Sequence, residues 1–256
     1  MKAAGVSGML PLALIGICAV APGFAADTAP SAPMPYAQMA QLMQMDDSAT
    51  VAMLWLDQLE LRRIAAQSAA VWQAEGWYGS DYNKLWMRSE GETYAGRTQD
   101  ARVEMFWDHI VARWWNLDVG ARQDLGIGPQ RSWAALGIRG LAVQGFAVEA
   151  TVYAGDASRT AVRLKIEYEL LFTQRLILQS EAETNFYGEA DPERRIGSGP
   201  SDLEIGLRLR YEIRREWAPY VGLVWARQFG ATAALWRAAG GNPDELQIAV
   251  GLRVWL

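Results

Sequence analysis

The 256-residue chain carries 24 Lys and Arg against 29 Asp and Glu, a formal net charge of -5, so no basic field invites nucleic acid. Its one cysteine, Cys18, lies in an apolar N-terminal stretch; a chain cleaved beyond it has no disulfide, thiolate metal site or thiol nucleophile. A mean hydropathy of -0.05 excludes a helical membrane protein, yet 12 residues are Trp, the side chain that favours membrane–water boundaries.

The N-terminus reads as an export signal over residues 1–25. Lys2 supplies the positive end, residues 10–20 the apolar region, and Gly23-Phe24-Ala25 a small-x-small cleavage site. Ile17 before Cys18 is too large for a lipidation site, so export without lipidation is expected. Residues 26–52 form a tail of different composition. Its Pro/Ala/Ser-rich start is expected to be extended or disordered. Met34, Met39, Met43 and Met45 follow, interleaved with Gln38, Gln41 and Gln44. Thioethers are soft donors that suit Cu(I), which makes these four methionines candidate metal ligands. The spacing of Met39 and Met43, one helical turn apart, fits a short amphipathic helix equally well.

From residue 53 the pattern changes to period two, the mark of strands with one apolar and one polar side. Residues 53–63 alternate weakly. Residues 71–78 and 84–92 form a hairpin around a Gly79-Ser80-Asp81 corner, with tryptophans near both ends. Strands follow at residues 101–109, 117–122, 133–143 and 146–152. The clearest alternation runs through residues 162–170, 176–183 and 203–214, the last two joined by a long loop at 187–201. Residues 220–228 and 246–256 complete the set. The count is twelve, each expected to run roughly 9–11 residues, the length that crosses a bilayer at a tilt. An even count is what a closed single-chain barrel needs. The expected fold class is therefore all-β: a transmembrane antiparallel up-and-down barrel over residues 53–256. Its tail would lie in the periplasm and its outer face against outer-membrane lipid. A soluble sandwich is the rival architecture, but charges of both signs on the inward positions suit a polar lumen better.

Those inward positions include Glu167, Glu169, Glu181 and Glu183 on two neighbouring strands. They offer a cation path of carboxylates, or they pair with Arg and Lys to fill a narrow lumen. His109 is the only histidine. Beside Asp108 at a strand end, it is a candidate metal ligand or an interface residue. A Ser–His hydrolase would have to use it, and no G-x-S-x-G is present, so no catalysis is expected. A general small-solute channel or a structural barrel is the alternative to a metal role.

Several long segments carry a resemblance. AEGWYGSDYNKLWMRSEGE (74–92), GPQRSWAALGIRGLA (128–142), RLILQSEAETNFYG (175–188), DPERRIGSGPSDLEIGLRLRYEIRREWAPYVG (191–222) and the ending VGLRVWL resemble the CopB/PcoB family of outer-membrane copper resistance proteins. The resemblance implies a copper role, with copper ions bound or transported, and a soluble periplasmic multicopper oxidase as partner. The family usually carries a Met/His-rich N-terminal segment. This tail is short and has no Met-Asp-His repeats, His109 is the sole imidazole, and Leu256 stands where such barrels generally end in an aromatic.

Overall fold

A computed structural model describes residues 34–35, 38–39, 42–43, 49–64 and 67–255. The expected signal peptide and Met45 lie outside the described residues. In the N-terminal segment, the Met39 N–H donates to the Pro35 carbonyl at 3.1 Å and the Met43 N–H to the Met39 carbonyl at 2.9 Å. That is the helical turn suggested by the Met39/Met43 spacing. Met34, Met39 and Met43 are all exposed.

Twelve strands follow: β1 (Val51–Ile64), β2 (Gln67–Gly79), β3 (Asn83–Tyr94), β4 (Arg97–Ala112), β5 (Trp115–Gly126), β6 (Arg131–Leu141), β7 (Ala147–Gly155), β8 (Thr160–Leu171), β9 (Leu176–Tyr187), β10 (Gly199–Tyr211), β11 (Trp217–Gln228) and β12 (Asp244–Trp255). Each pairs antiparallel with its sequence neighbours, and β12 closes on β1 with Trp55 opposite Trp255. Closure leaves no sheet edge, the condition for a sheet to sit in hydrocarbon. Strand count and topology are those the alternation predicts. The strands are longer than expected in places, up to 16 residues in β4.

Period two sorts the side chains. On β6, Trp133 and Ala135 are buried inside, and Leu136 and Ile138 face outward. Met87, Met105, Val119, Val152, Ile166, Leu207, Val221 and Val250 extend this outer apolar belt around the wall. At the end that holds Val51 and Trp255, exposed Tyr78, Trp107, Tyr211 and Trp217 border the belt. Indole and phenol rings suit that boundary because one edge is apolar and the other hydrogen-bonds.

The two barrel ends differ. The end bearing the first and last strand termini has short turns, such as residues 80–82 and 113–114. The opposite end has the long links 188–198 and 229–243, the latter containing α1 (Gly230–Ala238). Strand periodicity gives no hint of α1. Its Ala-rich sequence has high helix propensity, and Thr232 and Ala233 bury against the β10 rim, where Thr232 Oγ1 accepts from the Gly197 N–H at 2.9 Å. The 188–198 link folds over the β5–β6 rim. Arg194 donates to the Pro129 carbonyl at 3.0 Å and the Leu125 carbonyl at 3.2 Å, and Arg131 Nε to Asp191 at 2.8 Å.

The weak alternation of β1 has a local cause. Leu56 pairs with Ala74 and Gln58 with Gln73, so Asp57 is an extra residue in a β-bulge. The bulge shifts the phase. Asp57 and Gln58 are both buried inside, after which Glu60 and Arg62 face the lumen and Leu59 and Leu61 face out.

Candidate metal-handling site in the lumen

The inward positions of a twelve-strand wall are too many to leave empty and too polar to pack as hydrocarbon. One side is filled by Phe106, Trp133, Ala135, Tyr153 and Ala161. The rest of the waist is a lattice of ion pairs that crosses the barrel. Arg88 on β3 donates to both carboxylate oxygens of Glu149 on β7 at 2.7 Å, and to Glu104 and Glu75 at 3.2 Å. Arg163 on β8 reaches Glu90 on β3 at 3.0 Å and Glu183 at 2.7 Å. Arg102 on β4 reaches Glu183 on β9 at 2.8 Å. Arg208 joins Glu60 at 3.2 Å, and Arg62 joins Glu204 at 2.9 Å. Arg163 and Arg208 are 1 % exposed and Glu104 is 0 % exposed, so side chains close this level of the lumen. Buried charges persist only when paired and hydrogen-bonded, and here each arginine fork meets two or more carboxylates.

Towards the end with the strand termini the packing loosens. A cavity of about 120 Å³ opens between Glu75, Trp86, Arg139, Glu149, Lys165 and Glu167. The Arg139 guanidinium lies 3.7 Å from the centre of the Trp86 ring, and Trp55 meets Trp86 edge-on at 5.1 Å. Glu167 joins this cavity to a carboxylate cluster. One oxygen each from Asp57, Glu167 and Glu181 lies within 4.8 Å of the others. Glu167 and Glu181 stand directly opposite across β8 and β9, and the bulge of β1 brings Asp57 to them. Lys165 Nζ holds Glu181 at 3.0 Å, Arg253 Nε holds Asp57 at 2.8 Å, and the Gln179 amide donates to Glu167. Three convergent carboxylates can accept a divalent cation, at the expense of contacts to Lys165 and Arg253. That competition makes any such site weak.

The predicted residues fall in different places. Glu167 and Glu181 come together. Glu169 pairs instead with Arg210 at 3.0 Å and Arg253 at 3.1 Å, and Glu183 with Arg102 and Arg163. His109 lies on the outer side of β4, stacked on Trp107. Asp108, considered as its partner, points into the lumen and pairs with Arg139 at 2.8 Å. The alternation of β4 sends these neighbours to opposite faces. Strand alternation does not single out Asp57; its one signal in the sequence is the break in alternation at Asp57-Gln58.

A closed antiparallel barrel with an apolar outside and a polar, ion-paired inside is a β-barrel of the outer-membrane type. The solved NanC porin has the same fold, superposing with a TM-score of 0.53 at 12 % identity over 80 % of this chain and 99 % of that one. Residues 50–256 match the family described as Copper resistance protein B precursor (CopB), and the chain belongs to that family. It is 45 % identical over 212 residues to a copper resistance protein B homolog of Pseudomonas syringae pv. tomato, covering 83 % of this chain and 72 % of that one. It is 41 % identical over 209 residues to copper resistance protein B of Escherichia coli, covering 82 % and 71 % respectively. Copper resistance is therefore the biological setting of this barrel.

Proposed function

We propose that the protein serves copper resistance by binding copper ions at the bacterial outer membrane and passing or sequestering them there, without catalysis. The observation that carries this reading is the convergence of Asp57, Glu167 and Glu181 beside a cavity at one end of the lumen, in a chain of the copper resistance protein B family. In this reading Met34, Met39, Met43 and Met45 capture Cu(I) on the periplasmic side, and the short-turn end of the barrel is taken as periplasmic because outer-membrane barrels carry their short turns there. The soft thioethers and hard carboxylates would serve different oxidation states: thioethers select Cu(I), while oxygen donors accept Cu(II). A soluble periplasmic multicopper oxidase that converts one to the other is the proposed partner. The ion lattice at the waist favours holding or gated passage over free diffusion. A purely structural barrel is the second reading, and the same lattice supports it, because ion pairs alone satisfy the lumen.

Copper titration of the refolded chain from residue 26, in detergent, separates these. It is compared with the chain from residue 50 and with an Asp57→Asn/Glu167→Gln/Glu181→Gln variant. Cu(I) binding is expected to fall with the truncation, and Cu(II) binding with the carboxylate variant. Equal copper binding by all three forms, or none by any, would refute the assignment of these residues.

A further inference from the structure

The chain's single histidine is held by two neighbours that take no part in the lumen lattice. His109 stands opposite Asn83 in the β3–β4 register, at the barrel end that carries the strand termini. Asn83 Oδ1 accepts from Trp107 Nε1 at 3.2 Å and lies 2.9 Å from His109 Nδ1. An indole nitrogen can only donate, so the amide atom facing Trp107 is the oxygen and the amide cannot be turned around. That oxygen can only accept, so His109 Nδ1 carries the proton in this contact. In the neutral ring the lone pair is then on Nε2. The ring also stacks on Trp107, centroids 5.2 Å apart and planes inclined by 24°, which holds its orientation. Nε2 has no hydrogen-bond partner among the described residues and is not sealed from the surroundings.

Metal-ligating histidines are oriented in this way, by a hydrogen bond donated from the other ring nitrogen. We infer that His109 Nε2 is a preorganised ligand for a copper ion at this rim of the barrel, with Asn83 and Trp107 as positioning residues. The inference rests on the copper reading above and adds a nitrogen donor on the outer face, separate from the tail thioethers and the lumen carboxylates. A single imidazole leaves the other coordination positions to water or a second donor. Such a site exchanges its ion readily, which suits relay better than storage.

With one histidine in the chain, ¹⁵N-histidine labelling yields one pair of ring nitrogens and needs no assignment. NMR of the refolded full chain in detergent should show the proton on Nδ1. Cu(I) alone, added anaerobically, should move the Nε2 signal more than the Nδ1 signal. Asn83→Leu and Trp107→Phe should each mix the two tautomers and weaken the Cu(I) response by roughly 10–100-fold. Trp107→Phe keeps an aromatic ring under the imidazole and carries the test if Asn83→Leu does not refold. A proton on Nε2 in the parent chain would overturn the inference. So would ring nitrogens unmoved by Cu(I) while His109→Gln binds as much copper as the parent, an outcome that leaves the broader copper reading intact. Absence of copper binding anywhere in the parent chain would remove both.

Discussion

Arg88→Met tests whether the ion lattice holds the barrel together. Arg88 makes four hydrogen bonds to three carboxylates, two at 2.7 Å to Glu149 and one each at 3.2 Å to Glu104 and Glu75. Summed at ~1.5–3 kcal/mol for each bond to a charged group, they would exceed any realistic total. The desolvation of four charges takes back most of it. What remains is the cost of orphaning buried carboxylates, about 3–5 kcal/mol when one partner of a buried pair is removed. Methionine matches the arginine stem in bulk, so the loss is electrostatic rather than a cavity effect. Urea unfolding of the refolded barrel, followed by tryptophan fluorescence, should show that loss. Arg88→Met combined with Glu149→Gln should recover roughly 1–2 kcal/mol, because one orphaned charge is gone and neighbours in one network are non-additive. A loss below about 1 kcal/mol for Arg88→Met would refute the reasoning. It would mean that water reaches the waist and screens these charges.

Two further perturbations address the wall and the rim. At Gly120 on β5, an added Cβ would stand 2.0 Å from the Met105 carbonyl oxygen and 2.8 Å from the Phe106 Cα on the paired strand. Gly120→Ala should therefore cost at least the ~1–3 kcal/mol of an overpacked site, read as a lower urea midpoint or a lower refolding yield. A parent-like midpoint would show that the β4–β5 pair relaxes freely. The 188–198 link should loosen in acid. Burial works to raise the Asp191 carboxyl, but the Arg131 hydrogen bond and charge overcome it and hold the group below the usual carboxylate range. A depressed folded value means the tether is complete above the unfolded carboxylate value of about 3.9, weakens below it, and is lost only as pH falls through the lower folded value. Limited proteolysis at neutral pH and at about pH 2, well below the ordinary carboxylate range, with an acid-active protease at the lower value, should show the link protected only at neutral pH. Asp191→Asn should be cut at both, and a link equally protected at both pH values in the parent chain would contradict this.

Much of this architecture was written in local pattern. Alternation such as Leu203, Ile205, Leu207 and Leu209 against Glu204, Arg208 and Arg210 determines by itself that β10 has one face for hydrocarbon and one for a polar interior, because side chains on a strand alternate whatever the neighbours are. Twelve such runs, an even number, carry the barrel, and the long low-degeneracy segments carry the family. Alternation could not place α1, which breaks the period, or carry the phase across the bulge at Asp57.

Which charges meet was decided only by closure. Glu167, Glu169, Glu181 and Glu183 are equivalent in the chain, each inward on a neighbouring strand. Closure brings Asp57, over a hundred residues away, to Glu167 and Glu181, and brings Arg102 of β4 to Glu183. The tautomer of His109 likewise depends on an asparagine across the hairpin and on the tryptophan beneath its ring. A strand's pattern specifies the side each residue faces. The residue it meets there is set by register, bulges and the curvature of the closed wall, none of which acts within a single strand.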